Sequence, residues 1–273
     1  MSVVSLPQGV QACLERLASH RGRQPGQVAH FQRVEADVRQ QLQDVGLVHG
    51  TRLGRVQQIL MDRALRSKQK QGQAGSLAQV ALETEQQVCT SAGLLYPERN
   101  VVLIFRREAE EVAGRVVEAT PFDSGHFWNG GIYQHIRDRE QRQLVYRAWC
   151  LPAPGYRDYF VARVASCFEG VEAWRSGAPP LFSDPDDMLS PDSHDKKCWF
   201  LDRSFEVRFE GTLPLDEHMA AIFLPFRRGD ARQRGLRPSL EELERLGVEL
   251  HYIGTEDDLK QGVLAWLGKH ERS

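Results

Sequence analysis

The stretch that most restricts the fold is NVVLIFRRE, residues 100–108. It holds five consecutive apolar side chains, Val101 to Phe105, of which three are β-branched. So short an apolar run, closed by polar residues at both ends, predicts a strand and so a sheet. GRVVEAT (114–120) supplies a second strand. The last third adds CWFLDRSFEVRFEG, HMAAIFLPF and VELHYIG, so β-structure recurs along most of the chain.

Helical periods separate these strands. Val28, Phe31, Val34, Val38 and Leu42 recur at three- and four-residue steps and predict a helix over 27–44. A shorter helix near 8–19 is expected to hairpin onto it across SHRGRQPGQ. GLVHGT predicts a short strand, and RLGRVQQILMDRALRS a helix carried by Leu53, Val56, Ile59 and Leu60. KQKQGQAGS after it reads as a mobile basic loop. PFDSGHFWNGG is rich in Gly and Asp and reads as a loop that carries aromatics. YFVARVASCFEGVEAW and SLEELERLG have helical spacing, SGAPPLFSDPDDMLSPDSHD is a long polar excursion, and Thr255 with Asp258 forms a capping box for a final helix. The expected organisation is a helical extension over 1–45 and one α+β domain over 46–273.

Composition excludes several classes. Forty-one per cent of the 273 residues are hydrophobic, enough for a sizeable core, yet no run approaches the eighteen or so apolar residues of a membrane span. MSVVSLPQGVQACLERL lacks the basic start and apolar stretch of a signal peptide, so the cytosol is the expected compartment and no membrane partner is expected. The five cysteines are scattered without a CxxC pair and predict reduced thiols. No GxGxxG follows a strand and no Walker A, GxSxG or HExxH sequence occurs, which excludes a Rossmann cofactor site and the familiar hydrolase signatures. His126, His135, Asp123 and Glu118 fit no compact ligand spacing, so no metal is expected. The net charge of −2 hides an asymmetry: residues 1–75 carry 11 Lys and Arg against 5 Asp and Glu, and the remainder 24 against 32. A front segment at +6 is compatible with a polyanionic partner.

Two positions attract chemistry. In VHGT, His49 lies where a strand ends and a helix opens, beside backbone N–H groups that suit a phosphate or a ribose hydroxyl. In SFEVRFEG, alternation sends Phe205, Val207 and Phe209 to one face, and Glu206, Arg208 and Glu210 to the other. A mid-strand carboxylate lies either on a solvated edge or in a cleft that needs its charge; Glu206 and Glu210 compete for that role.

A strand–HGT–helix, then apolar strands, then a strand bearing a glutamate, then AAIFLP, resembles the ADP-ribosyltransferase superfamily, specifically its members with a His in the first motif and a Glu in a later strand. The resemblance spans roughly residues 47–253 and implies a split mixed sheet. It also implies NAD as a consumed substrate, with His49 on the cofactor ribose, Gly50 and Thr51 shaping the first motif, and Glu206 as the catalytic carboxylate. Arg52, at the start of the helix, is the candidate for neutralising the pyrophosphate, ahead of Arg55. The middle motif is open among Tyr96, Ser124 and Tyr133, with Ser124 and Tyr133 on TPFDSGHFWNGGIY and Phe127 as an alternative stacking ring. The resemblance further suggests a toxin or defence setting with a nucleic-acid or protein acceptor and an antitoxin or defence-system partner. The competing expectation is a non-catalytic module that binds nucleic acid or protein through the basic front and the Pro-rich loop.

Overall fold

The computed structural model describes residues 15, 19, 28–42, 45–75, 77–82, 84–92, 101–107, 109, 116–129, 137–152, 156–176, 178, 205–230, 233–254 and 256–270. In chain order the first elements are α1 (Val28–Leu42), β1 (Leu47–Thr51), α2 (Leu53–Asp62), β2 (Ala64–Arg66), α3 (Leu77–Leu82), β3 (Gln87–Ala92) and β4 (Val101–Phe105). There follow β5 (Val116–Thr120), α4 (Ser124–Asn129), α5 (Arg139–Ala148), β6 (Leu151–Pro152), α6 (Tyr156–Cys167) and α7 (Val171–Ser176). The last are β7 (Phe205–Glu210), β8 (Thr212–Pro214), β9 (Met219–Leu224), α8 (Arg237–Arg245), β10 (Glu249–Tyr252) and α9 (Glu256–His270). No helix among the described residues is long and apolar enough to cross a membrane. The expected helix near 8–19, the loop over 179–195, Tyr96, Tyr133, His135 and Thr255 of the capping box lie outside the described residues.

The chain divides into two compact units interleaved in sequence: Met1–Asp44, Ser76–Thr84 and Val117–Glu206 form the first, and the remainder the second. The first unit is mostly helical and is organised around α6. Ten of the twelve residues of α6 are buried, including Tyr159, Phe160, Val161 and Val164, and its sequence has no polar face to give to solvent. Such a helix belongs in a core. Helix α1 packs on it, and its Val38 and Leu42 are fully buried. Arg157 Nη1 donates to the carbonyl of Leu42 at 3.2 Å, satisfying an acceptor that the end of α1 leaves without a helical partner. The Phe160 ring lies 4.3 Å from Phe205 and 5.3 Å from Trp174. The helix expected to run through 159–174 breaks into α6 and α7, with Gly170 at φ 94° in the link, a conformation that glycine adopts without strain.

The second unit is built on a mixed sheet whose strands run β10-β9-β4-β1-β3, with the Val207–Glu210 part of β7 beside β3. Strands β9 and β10 are parallel; the pairs β9/β4, β4/β1 and β1/β3 are antiparallel. All five residues of β4 are buried, as its unbroken apolar sequence requires. Helix α2 buries Val56 and Leu60 and ends at Asp62, earlier than its apolar period suggests. Arg63 takes a left-handed conformation there, and Ala64–Arg66 pairs antiparallel with β8 as a strand. The basic segment expected to be a mobile loop holds a short 3-10 turn at Gln69–Gln71. It is anchored by Ser67 N to Gly211 O at 2.9 Å and Gln69 N to Glu85 O at 3.2 Å.

Candidate active site

In the first unit, the site forms where β5 turns into α4. Thr120, fully buried, donates its hydroxyl to the carbonyl of Phe122 at 2.9 Å and so closes the turn. Phe122 and Phe127 stack with ring centroids 5.0 Å apart and an interplanar angle of 14°, and Tyr146 of α5 tilts against both. These three rings are buried and fix the first turn of α4. The segment expected to be an aromatic loop is therefore a short helix from Ser124 to Asn129. Its aromatics are the reason: a ring stack on one side of the turn supplies burial that the Gly- and Asp-rich sequence alone does not announce.

Ser124 begins that helix and meets Glu206. Its hydroxyl donates to Glu206 Oε2 at 3.1 Å and its backbone N–H to the same oxygen at 3.3 Å. Glu206 is only 6% exposed. Phe205, the residue before it, is anchored by Phe160 and Tyr159, which fixes the direction in which the carboxylate projects. The structure thus brings together two residues expected at the site, the strand glutamate and Ser124, one of the three candidates for the middle motif. Phe127 is committed to the ring stack; Trp128 is the half-buried aromatic of the helix, and the Arg142 guanidinium lies 5.1 Å from its ring centre. Sequence reading did not select Trp128, because its place one turn after Ser124 is meaningful only once the segment is helical.

In the second unit, His49, Gly50 and Thr51 are all strand residues of β1, facing Leu103, Val102 and Val101 of β4. The expected turn contracts to Arg52 alone, which has extended backbone at φ −91° and ψ 146° immediately before α2 and whose carbonyl accepts from Arg55 N at 2.9 Å. Arg52 and Arg55 are exposed. Thr51 is 5% exposed. His49 Nδ1 lies 2.9 Å from the carbonyl of Cys89 on β3. A carbonyl only accepts, so Nδ1 carries the proton, and in the neutral ring Nε2 is the acceptor nitrogen. Strand β3 went unread in the sequence, yet it holds the ring, and its Thr90 donates its hydroxyl to Val207 O at 3.0 Å.

Glu210 is exposed and lines, with Ser67, Gln69, Lys70, Gln86 and Gly211, a polar cavity of about 320 Å³ in the second unit. Among the described residues whose side chains are placed, no group of three or more His, Cys, Asp or Glu is arranged to hold a metal ion.

No protein-family model matches the chain, and no curated protein matches it. Among solved structures it is similar to Thermus sp. 2.9 DarT in complex with NAD+, at 10% identity and a TM-score of 0.39 over 76% of this chain and 94% of that one. It is also similar to the same protein in complex with carba-NAD+, at 10% identity and a TM-score of 0.41 over 78% and 96%. A third similar structure is that protein in complex with ADP-ribosylated ssDNA, at 10% identity and a TM-score of 0.37 over 78% and 95%.

Proposed function

We propose that this protein is an NAD-consuming ADP-ribosyltransferase. The observation that carries the reading is the buried carboxylate of Glu206, held by both donors of Ser124 at the first turn of α4. A carboxylate in mid-strand costs burial energy, and its retention at 6% exposure with two directed donors supports a site that uses its charge. The order of the motifs, HGT on β1 and then Glu206 on β7, supports the same assignment.

In the reaction, the bond between the ribose C1′ and the nicotinamide nitrogen breaks, and nicotinamide leaves with the electron pair. Positive charge develops on C1′ and the ring oxygen. The acceptor then bonds to C1′ and gives up its proton. Glu206 accepts a hydrogen bond from the ribose 2′-hydroxyl and places negative charge beside the developing oxocarbenium character. Ser124 holds Oε2, so that reorientation of the carboxylate is not part of the barrier. His49, with Nδ1 on the Cys89 carbonyl, is assigned to a ribose hydroxyl, and Thr51 completes the first motif. Arg52, exposed at the start of α2, is the cation assigned to the pyrophosphate.

The acceptor we assign is nucleic acid, in keeping with the +6 charge of residues 1–75. A cytosolic toxin or defence role, with a partner that restrains it, follows as the setting; induced expression should arrest bacterial growth, and Glu206→Gln should relieve the arrest. The decisive measurement is chromatographic detection of nicotinamide released from NAD by wild type and Glu206→Gln, with and without DNA, RNA or lysate. Wild-type release, reduced on the order of 10²-fold or more in the variant at unchanged melting temperature, is expected. No release under any condition, with no thermal stabilisation by NAD, would leave a binding module.

A further inference from the structure

The sequence PFDSGHFWNGG concentrates aromatics, and the structure accounts for all of them but one. Phe122 and Phe127, with Tyr146 from α5, fill the interior at 3%, 4% and 2% exposure. Trp128 is half-buried, outside that stack. The Arg142 guanidinium lies 5.1 Å from the indole centre, and its Nη1 donates to the carbonyl of Trp128 at 2.9 Å. That hydrogen bond fixes the arginine with respect to the backbone that carries the ring.

Its position relative to the carboxylate follows from helix geometry. Ser124 and Trp128 are four residues apart in α4 and share a face, about 6 Å apart along the axis. Helical side chains as a rule lean toward the N-terminus, which from Trp128 is the direction of Ser124. Arg139 lies three residues before Arg142 on α5 and is exposed, placing a second guanidinium on the same side of that helix.

We infer that Trp128 and Arg142 form a stacking platform for one unpaired nucleobase of a single-stranded acceptor, with Arg139 on the neighbouring phosphate. The inference rests on the transferase reading for its chemistry but not for its binding test. An indole offers a π-face of low entropic cost, and a guanidinium plane enlarges that surface while contributing positive charge. Bases in a duplex have their faces covered by neighbours, so such a platform selects a strand whose bases are unstacked. One helical turn separates Trp128 from Ser124, the residue that holds the carboxylate, a spacing on the scale of a single nucleotide.

The test uses the full chain and a fluorescein-labelled single-stranded DNA oligonucleotide of mixed sequence, read by anisotropy, with the same sequence as duplex for comparison. Trp128→Ala should raise the Kd about 10-fold, whereas Trp128→Phe, which retains a ring, should raise it about 3-fold or less. Arg139→Gln should weaken binding and flatten its dependence on salt. In a parallel assay, Trp128→Ala should reduce modification of the oligonucleotide at least about 10-fold more than it reduces nicotinamide release to water. Equal affinity of Trp128→Ala and wild type, equal affinity for duplex, or an equal loss in both activity assays would overturn the platform; the last result would move the ring to the nicotinamide. Wild type that binds the oligonucleotide through Trp128 but releases no nicotinamide would overturn the transferase reading and leave the platform standing.

Discussion

The two ends of β7 carry the same side chain in opposite surroundings. Glu206 and Glu210 lie four residues apart on one face of the strand, yet Glu206 is buried and accepts both Ser124 donors, while Glu210 is exposed on a polar cavity. Alternation assigns a residue to a face, but depth is set by what packs over that face. At the Glu206 end, Phe205 is clamped by Phe160 and Tyr159, and α4 delivers Ser124. At the Glu210 end the strand runs directly into Gly211, at φ 73°, and β8. A strand that turns back at once offers nothing to cover its last side chain.

Removing what anchors the first end should have the largest effect. Phe205→Ala deletes a ring that is 1% exposed and should cost about 3–5 kcal/mol in chemical denaturation, with nicotinamide release falling as Glu206 loses its orientation. A loss below about 1 kcal/mol would mean that Glu206 is held without the Phe205 anchor. Ser124→Ala should act more narrowly. It removes one of the two donors and should lower nicotinamide release about 10-fold while changing stability by about 1 kcal/mol. Unchanged release would show that the backbone N–H alone orients the carboxylate.

The opposite end should respond in stability and not in chemistry. A Cβ at Gly211 would stand 3.0 Å from Lys70 Cε and Nζ, the end of a flexible side chain, so the cost of Gly211→Ala lies mainly in the left-handed backbone. That cost is about 1 kcal/mol, measurable as a shift of the urea midpoint. Glu210→Gln should leave nicotinamide release within about 2-fold of wild type and stability within about 0.5 kcal/mol. A large drop in release from Glu210→Gln would exchange the roles of the two glutamates and sink the comparison.

The same contrast explains what the sequence disclosed. The apolar run of β4, the period of α1 and the alternation of β7 are local patterns, and each yields its element directly. Ser124 was legible as a polar residue at a strand end, and Glu206 as a carboxylate out of place. The short helix α4 was hidden because Phe127 stabilises it by stacking on Phe122, outside any repeating pattern. Strand β3, QVCTSA, was missed because its polar and small residues imitate a turn; it is a strand because β1 pairs with it and Thr90 bonds across to Val207. Strand β2 was absorbed into the period of α2, since nothing in MDRAL announces the left-handed residue Arg63. For β2 and β3 the deciding partner is distant in sequence.

The smallest predicted effect concerns Lys68, on the segment that walls the Glu210 cavity. Burial, and then the nearby charge of Arg55, hold its ammonium below the ordinary lysine pKa of 10.5. The unfolded chain therefore binds the Lys68 proton more tightly than the folded one does, so stability should rise with pH from the lowered folded value up to about 10.5, and be least where the lysine is charged in both states. Because the group is mostly solvated, the effect should be small, about 2 °C or less in Tm between pH 8 and 10.5. Lys68→Gln should abolish that increment and raise Tm slightly at neutral pH, although it also loses the 3.1 Å bond from Lys68 Nζ to Gln73. If the increment persisted in Lys68→Gln, its source would be another group; if wild type lost stability over that range, the cation would be favoured by its surroundings and the basic wall would be no burden on this end of the strand.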